Sequence, residues 1–321
     1  MAKIAIVTPA RAGSRTGNRH TAARWATMLR GAGHRVTVLT QWQGERCDLL
    51  VALHAKRSHA SVLRYRTAQP SGPLAVVLTG TDLYRDLPAS AEARRSLELA
   101  GRIIVLQDEA PRQLEPRLRR KTCVVYQSAN PSVRHEPPPR RLRVAVIGHL
   151  REEKDAFRAV AALALLPPDA DVEVVQLGAA LAPGMRREAT RWMAREPRYR
   201  WLGSVPHARA LAWLAKSHLL VVSSRMEGGA NVIAEAARIG TPVLASRVPG
   251  NVGMLGRDYA GYFPLGDERA LAKLLQRAAS EPDYRPRLRR ALRARRKLFA
   301  PGAERAALLR ALSPLLKPRA T

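Results

Sequence analysis

Short apolar runs without alternation, set between stretches of helical spacing, constrain this chain most. Ile4–Val7, Val36–Leu39, Asp48–Leu53, Leu74–Leu78, Ile103–Leu106 and Cys123–Tyr126 are nearly free of polar positions. A strand with one wet face alternates, so runs like these belong to strands covered on both faces, as in a parallel sheet. Parallel strands need crossover helices. Arg19–Arg30 supplies one, with Ala22, Trp25, Ala26 and Leu29 at helical spacing and Gly31 and Gly33 as stops. The expected class is α/β, with a doubly wound, Rossmann-like domain at the start.

The pattern breaks at Asn130–Arg141, NPSVRHEPPPRR, where dense proline halts regular structure. It then resumes. Arg143–Ile147, Val172–Gln176, Trp201–Leu202, Leu219–Val222 and Pro242–Ser246 read as strands. Ala156–Leu165, Met185–Arg195, Ala208–Ser217, Ala230–Ile239 and Ala270–Ala279 read as helices. The expected organisation is a Rossmann-like domain at 1–130, a Pro/Arg-rich linker at 131–141, a second Rossmann-like domain at 142–300, and a C-terminal helix at 301–321. That last helix is amphipathic and would pack on its own domain or on the first.

The second half is organised around Ser223–Gly253, SSRMEGGANVIAEAARIGTPVLASRVPGNVG. Strand, glycine turn, helix, glycine stop and strand make one βαβ unit. The helix opens after Gly228 and Gly229, so its first N–H groups and its positive dipole end are offered to an anion. Glu227 and Glu235 bracket that seat. A carboxylate accepts from two neighbouring hydroxyls at once. The arrangement suits a sugar–diphosphate–ribose ligand, with phosphates on the helix end and a diol at each glutamate.

Composition narrows the class. The two cysteines, Cys47 and Cys123, argue against a disulfide framework or thiolate zinc site and fit a reducing compartment. No apolar run approaches a membrane span, and MAKIAIVTPA reads as a first strand rather than a leader. A soluble, cytoplasmic protein is expected. The formal charge is +29, yet only eight of the 55 basic residues are lysine and aromatics are 5%. Scattered arginine without interleaved aromatics is a weak nucleic-acid signature, and phosphorylated small ligands need only a few such cations. No nucleic-acid partner is expected; a basic nucleic-acid or anionic-surface binder is the non-enzyme alternative. No P-loop, HExxH, GxSxG or Cys/His metal spacing is present, and no GxGxxG follows the first strand.

Glu227, seven residues, Glu235 and the exit Ala-Arg-Ile-Gly-Thr-Pro-Val resemble the E-x7-E signature of family 4-type GT-B glycosyltransferases. The resemblance implies two Rossmann-like domains facing a cleft, a nucleotide-sugar donor, no bound metal, and often a last helix that crosses back to the first domain. Gly148-His149-Leu150-Arg151-Glu152-Glu153-Lys154-Asp155 resembles the family pattern G-R-L-x-x-x-K-G, whose cations neutralise the donor diphosphate. Lys154 matches. His149 stands where arginine is expected, Asp155 replaces glycine, and Arg151 offers a substitute charge. Gly203-Ser204-Val205-Pro206 resembles the segment bordering the base. The implied donor residues are His149, Gly203, Val205, Glu227, Gly228, Gly229, Ala230, Asn231, Val232 and Glu235. Glu235 would take the ribose and Glu227 the donor sugar. Lys154, Arg151 and Glu227 would carry the chemistry.

The first domain holds a second anion seat in PARAGSRTGNRHTAARWA, where Gly13 and Gly17 allow close backbone approach among Arg11, Arg15 and Arg19. Asn18 is placed as a helix N-cap. His54, Lys56, Arg57 and Ser58 follow the third strand, and Thr79-Gly80-Thr81-Asp82 the fourth. The latter resembles the H-G-T-D of some N-acetylglucosaminyltransferases, with Thr79 in place of histidine. GSRTGNRHTAARWA, DLLVALHAKRS and LTGTDLYRD together resemble selenosugar synthases of selenoneine biosynthesis (the SenB type). That resemblance implies transfer of a sugar from UDP-N-acetylglucosamine or UDP-glucose to the selenium of selenophosphate. It implies partner enzymes that supply selenophosphate and use the selenosugar. Arg11, Arg15, Gly17, Asn18, Arg19, His54, Lys56, Thr79, Thr81 and Asp82 would bind the acceptor. A small thiol, carboxylate or lipid-linked acceptor is the alternative.

Overall fold

The computed structural model describes residues 1–10 and 17–316. It divides into two compact units, 1–127 with 301–321, and 128–300. No helix among the described residues is long and apolar enough to cross a membrane.

The first unit holds a six-stranded sheet of β1 (Lys3–Val7), β2 (Arg35–Leu39), β3 (Leu49–Leu53), β4 (Leu74–Val77), β5 (Arg102–Val105) and β6 (Thr122–Val124), in the order β2-β1-β3-β4-β5-β6. Every pairing is parallel. All five residues of β3 and all four of β4 are buried, the burial that their unbroken apolar composition demands. The helix α1 (Gly17–Arg30) follows β1 and buries Thr21, Ala22, Trp25, Ala26 and Leu29. Helices α2 (His59–Ala68) and α3 (Ala91–Leu99) follow β3 and β4. The order reverses between β1 and β3, which makes their carboxyl ends the switch point of this sheet.

The second unit repeats the plan with β7 (Leu142–Ile147), β8 (Val172–Leu177), β9 (Tyr199–Trp201), β10 (Leu219–Val222), β11 (Val243–Ser246) and β12 (Tyr262–Phe263), ordered β12-β11-β10-β7-β8-β9. All pairings are again parallel. The intervening helices are α4 (Arg158–Leu163), α5 (Met185–Arg195), α6 (His207–Ala215), α7 (Asn231–Ile239) and α8 (Pro249–Leu255), and α9 (Glu268–Ser280) and α10 (Tyr284–Arg295) follow the last strand. Here the switch point lies between β7 and β10. The strand expected at Trp201–Leu202 instead runs Tyr199–Trp201. Tyr199 anchors it, buried beside β8 with its hydroxyl donating to Gln176 Oε1 at 2.8 Å.

The last helix, α11 (Pro301–Leu316), packs on the first unit. Its buried Glu304 accepts from Trp25 Nε1 at 2.7 Å and from Arg24 Nε at 2.8 Å. Leu308 and Leu312 join the same core as Trp25 and Leu29.

Candidate functional site

In the second unit the loops after β7 and β10 meet at the switch point, where ligands of open parallel sheets bind. Several backbone contacts hold them together. Arg225 N–H donates to the Glu153 carbonyl at 2.9 Å. Ser223 Oγ donates to the carbonyls of Lys154 at 3.1 Å and Asp155 at 3.0 Å. Gly148 is approached so closely by Gly178 that a Cβ on the latter would lie 2.0 Å from the Gly148 carbonyl oxygen.

These constraints bring Lys154 onto Glu227. The ammonium forms an ion pair with Glu227 Oε1, which also accepts from Ser224 Oγ at 2.6 Å. Glu227 lies in the loop between β10 and α7, with its side chain 9% exposed against 29% for Lys154. Ser224 is held in turn, its carbonyl accepting from Ser246 Oγ at 2.6 Å. Gly148, His149, Lys154, Ser224, Glu227 and Val232 line one small cavity.

Helix α7 starts at Asn231, and no side chain caps it. Its N-cap residue is Ala230, and the positive dipole end of the helix lies at that turn. Arg151 precedes the tight turn Glu152–Lys154, and its Nε is buried without a hydrogen-bond partner. His149, in the position where the family pattern has arginine, turns its Nδ1 to accept from Ala179 N–H at 3.1 Å. It supports the loop after β8. Asp155 adopts the left-handed conformation, φ 46° and ψ 54°, that glycine takes at no steric cost.

Glu235 sits on the second turn of α7, and its Oε1 lies 2.8 Å from His207 Nε2. The hydrogen bond to Glu235 raises the His207 pKa above its ordinary value, with burial opposing. Gly203, at φ 66°, and Val205 lie in the loop between β9 and α6, and the Gly203 carbonyl accepts from Gly178 N–H at 2.8 Å.

In the first unit, Arg11 and Arg15 lie outside the described residues. Gly17 opens the described part of α1, so Asn18 lies inside the helix and is not its cap. The Gly17 carbonyl accepts from Thr21 Oγ1 at 2.9 Å. Asn18 and Arg19 are half-buried.

At the end of β3, His54 is buried and left-handed, φ 75°. Asp82 explains that strained turn. Its carboxylate accepts from Ala55 N–H at 2.7 Å and Lys56 N–H at 3.4 Å, and lies 3.2 Å from His54 Nδ1. Arg57 N–H donates to the same Nδ1 at 3.3 Å. His54 Nε2 faces Thr81 Oγ1 at 3.5 Å and Asp86 Oδ2 at 3.6 Å. His54, Asp82 and Asp86 have the residue types and spacing of a metal site. With Asp82 and Nδ1 already engaged by backbone amides, however, they act as a clamp on the β3 loop. The clamp leaves Lys56 exposed at the strand end and Thr79 and Thr81 half-buried beside it.

Sequence reasoning did not single out Ser224, Asp86, His207 or Gly250. The first three carry no motif. Gly250 matters only because a Cβ there would meet the Glu227 backbone, a contact with no signature in local sequence.

Residues 127–295, more than half of the chain, match the family model described as Glycosyl transferases group 1. Sucrose-phosphate synthase from Thermosynechococcus elongatus superposes with a TM-score of 0.76 at 18% identity, covering 98% of this chain and 99% of its own. Anabaena HepE, solved in complex with UDP and glucose, gives 0.76 at 18% identity over 98% and 100%. A glycosyltransferase from Rickettsia africae gives 0.78 at 14% identity over 98% and 98%. At such identities the superpositions establish the fold, which is GT-B. The matched residues contain both switch-point loops, Glu227 and Glu235, and they place the chain in the group 1 glycosyltransferase family.

Proposed function

We propose that the protein transfers the sugar of UDP-N-acetylglucosamine or UDP-glucose to the selenium of selenophosphate. The observation that carries the donor half is the meeting of Lys154, Glu227 and Val232 of α7 at one cavity, with Arg151 and its unpartnered Nε in the same loop as Lys154. Cations beside the positive end of a helix at a strand end suit a diphosphate. HepE, of the same fold, was solved with UDP and glucose and with UDP-glucose, which supports a uridine nucleotide.

In this reading Glu235 takes the ribose and Glu227 the donor sugar. The Gly228–Val232 amides, Lys154 and Arg151 take the diphosphate. The C1–O bond to UDP breaks with its electron pair on the diphosphate, where fixed positive charge stabilises it. Selenium attacks C1 and forms the C–Se bond. Selenophosphate brings its own anionic nucleophile, so no general base is assigned. Hydrolysis of the P–Se bond then leaves the selenosugar and phosphate. The acceptor is assigned to Arg11, Arg15, Gly17, Asn18, Arg19, Lys56, Thr79 and Thr81, with His54 and Asp82 clamping the loop that carries Lys56. Exposed Lys56 at the clamped end of β3 supports an anionic acceptor there. The resemblance of the first-unit segments to selenosugar synthases supports selenium as its nucleophile.

The test is product analysis by mass spectrometry. UDP-sugar is incubated with selenophosphate, with thiophosphate and without acceptor. A selenosugar with stoichiometric UDP is expected. Transfer only to a thiol, carboxylate or lipid-linked acceptor would replace the selenophosphate assignment. Failure of UDP to bind would overturn the donor half.

A further inference from the structure

We propose that His207 is a positioning residue of the donor site, orienting the Glu235 carboxylate so that its second oxygen is presented to ribose hydroxyls. The inference rests on the assignment of Glu235 to the ribose.

His207 Nε2 and Glu235 Oε1 are 2.8 Å apart, while Glu235 Oε2 has no bond to the imidazole. The exposures are unequal, 67% for the His207 side chain and 15% for Glu235. A pair with one member this exposed adds little to stability, so its geometric effect on the carboxylate outweighs its energetic one. A glutamate on a helix has three rotatable bonds, and pinning one oxygen removes most of that freedom before a ligand arrives.

The scaffold fixes the pair from both sides. His207 is the first residue of α6, directly after Pro206 at φ −57°. Glu235 lies at the middle of α7. At the opposite ends of these helices Thr241 Oγ1 donates to the Leu214 carbonyl at 3.0 Å, and both partners are buried. The end of α6 is thus tied to the residue just beyond α7, and the His207–Glu235 contact ties the first residue of α6 to the middle of α7. Support of this kind, from a neighbour that does not touch the ligand, is what holds a binding group to a productive geometry.

The experiment measures affinity of the full chain for UDP and for 2′,3′-dideoxy-UDP, which lacks the hydroxyls in question. The wild type is expected to prefer UDP by about 30-fold, the value of one to two hydrogen bonds to a carboxylate. His207→Ala should cut that preference to about threefold and leave dideoxy-UDP affinity unchanged. His207→Gln, which restores an N–H donor, should recover most of it. Glu235→Ala should abolish the preference. If Glu235→Ala keeps the preference, the ribose assignment falls and the role of His207 with it. If Glu235→Ala loses it and His207→Ala does not, the positioning role alone is overturned. Equal weakening of both nucleotides by His207→Ala also overturns it.

Discussion

The backbone of Gly250 lies against the backbone of Glu227: a Cβ on Gly250 would stand 1.9 Å from the Glu227 carbonyl oxygen. The second residue of α8 therefore sets where the Glu227 peptide sits. Gly250→Ala must push that peptide away, at an overpacking cost of about 1–3 kcal/mol. We expect a matching fall in thermal stability and a loss of kcat/KM for the UDP-sugar of tenfold or more. Calorimetry and steady-state kinetics on one preparation check both, and wild-type kinetics in a destabilised variant would separate Glu227 from catalysis.

Lys154 has two tasks that one substitution exposes. It compensates Glu227, and it faces the anion seat. In the proposed reaction Lys154→Ala removes one cation from a developing diphosphate, and a loss of about 10²-fold in kcat is expected by analogy with a missing oxyanion donor. Rapid-quench measurement of UDP release reports it. Turnover at the wild-type rate would sink the assignment.

Asp155 holds a left-handed backbone and pairs with Arg158 Nε at 2.9 Å. Asp155→Gly loses the pair but relieves the backbone. Asp155→Ala loses the pair and keeps the strain. The alanine variant should be less stable than the glycine variant by about 1 kcal/mol, as read from denaturant midpoints.

His135 gives a pH signature. Its Nε2 donates to the Ser217 carbonyl at 2.9 Å, and its Nδ1 accepts from Arg289. Burial, then the charge of Arg289, lowers its pKa from 6.5 to about 4; the Ser217 bond opposes, and His218 and Arg285 add to the lowering. As pH falls, the unfolded chain takes up this proton before the folded one does. Stability falls wherever the unfolded state binds more protons. The contribution is therefore lost between about pH 6.5 and pH 4. Melting temperature should drop less across that window in His135→Gln than in the wild type.

Most strands were legible because their signal is local: an apolar run such as Leu49–Leu53 needs only its own residues to declare burial on both faces. Helix α10 was not, because Tyr284, Leu288 and Leu292 form its buried face within a run of arginines that masks the period. At the site, Glu227 and Glu235 stood out because they bracket a glycine turn at a helix start, and Lys154 by its match to the family pattern. Their partners Ser224, His207 and Gly250 are set by how strands far apart in sequence are ordered in the sheet. Asp82 was found, but as an acceptor ligand. Its grip on the Ala55 and Lys56 amides is a long-range contact that residue type does not announce.

Glu304, the partner of the Trp25 indole, lies 279 residues further along the chain. Synthesis runs from the amino end, and domains ordinarily fold in that order. Here all of 128–300 leaves the ribosome before the first unit can seat its final helix. Until then Trp25 and Leu29 lack the cover of Leu308 and Leu312. On the ribosome, the part made first is the part finished last.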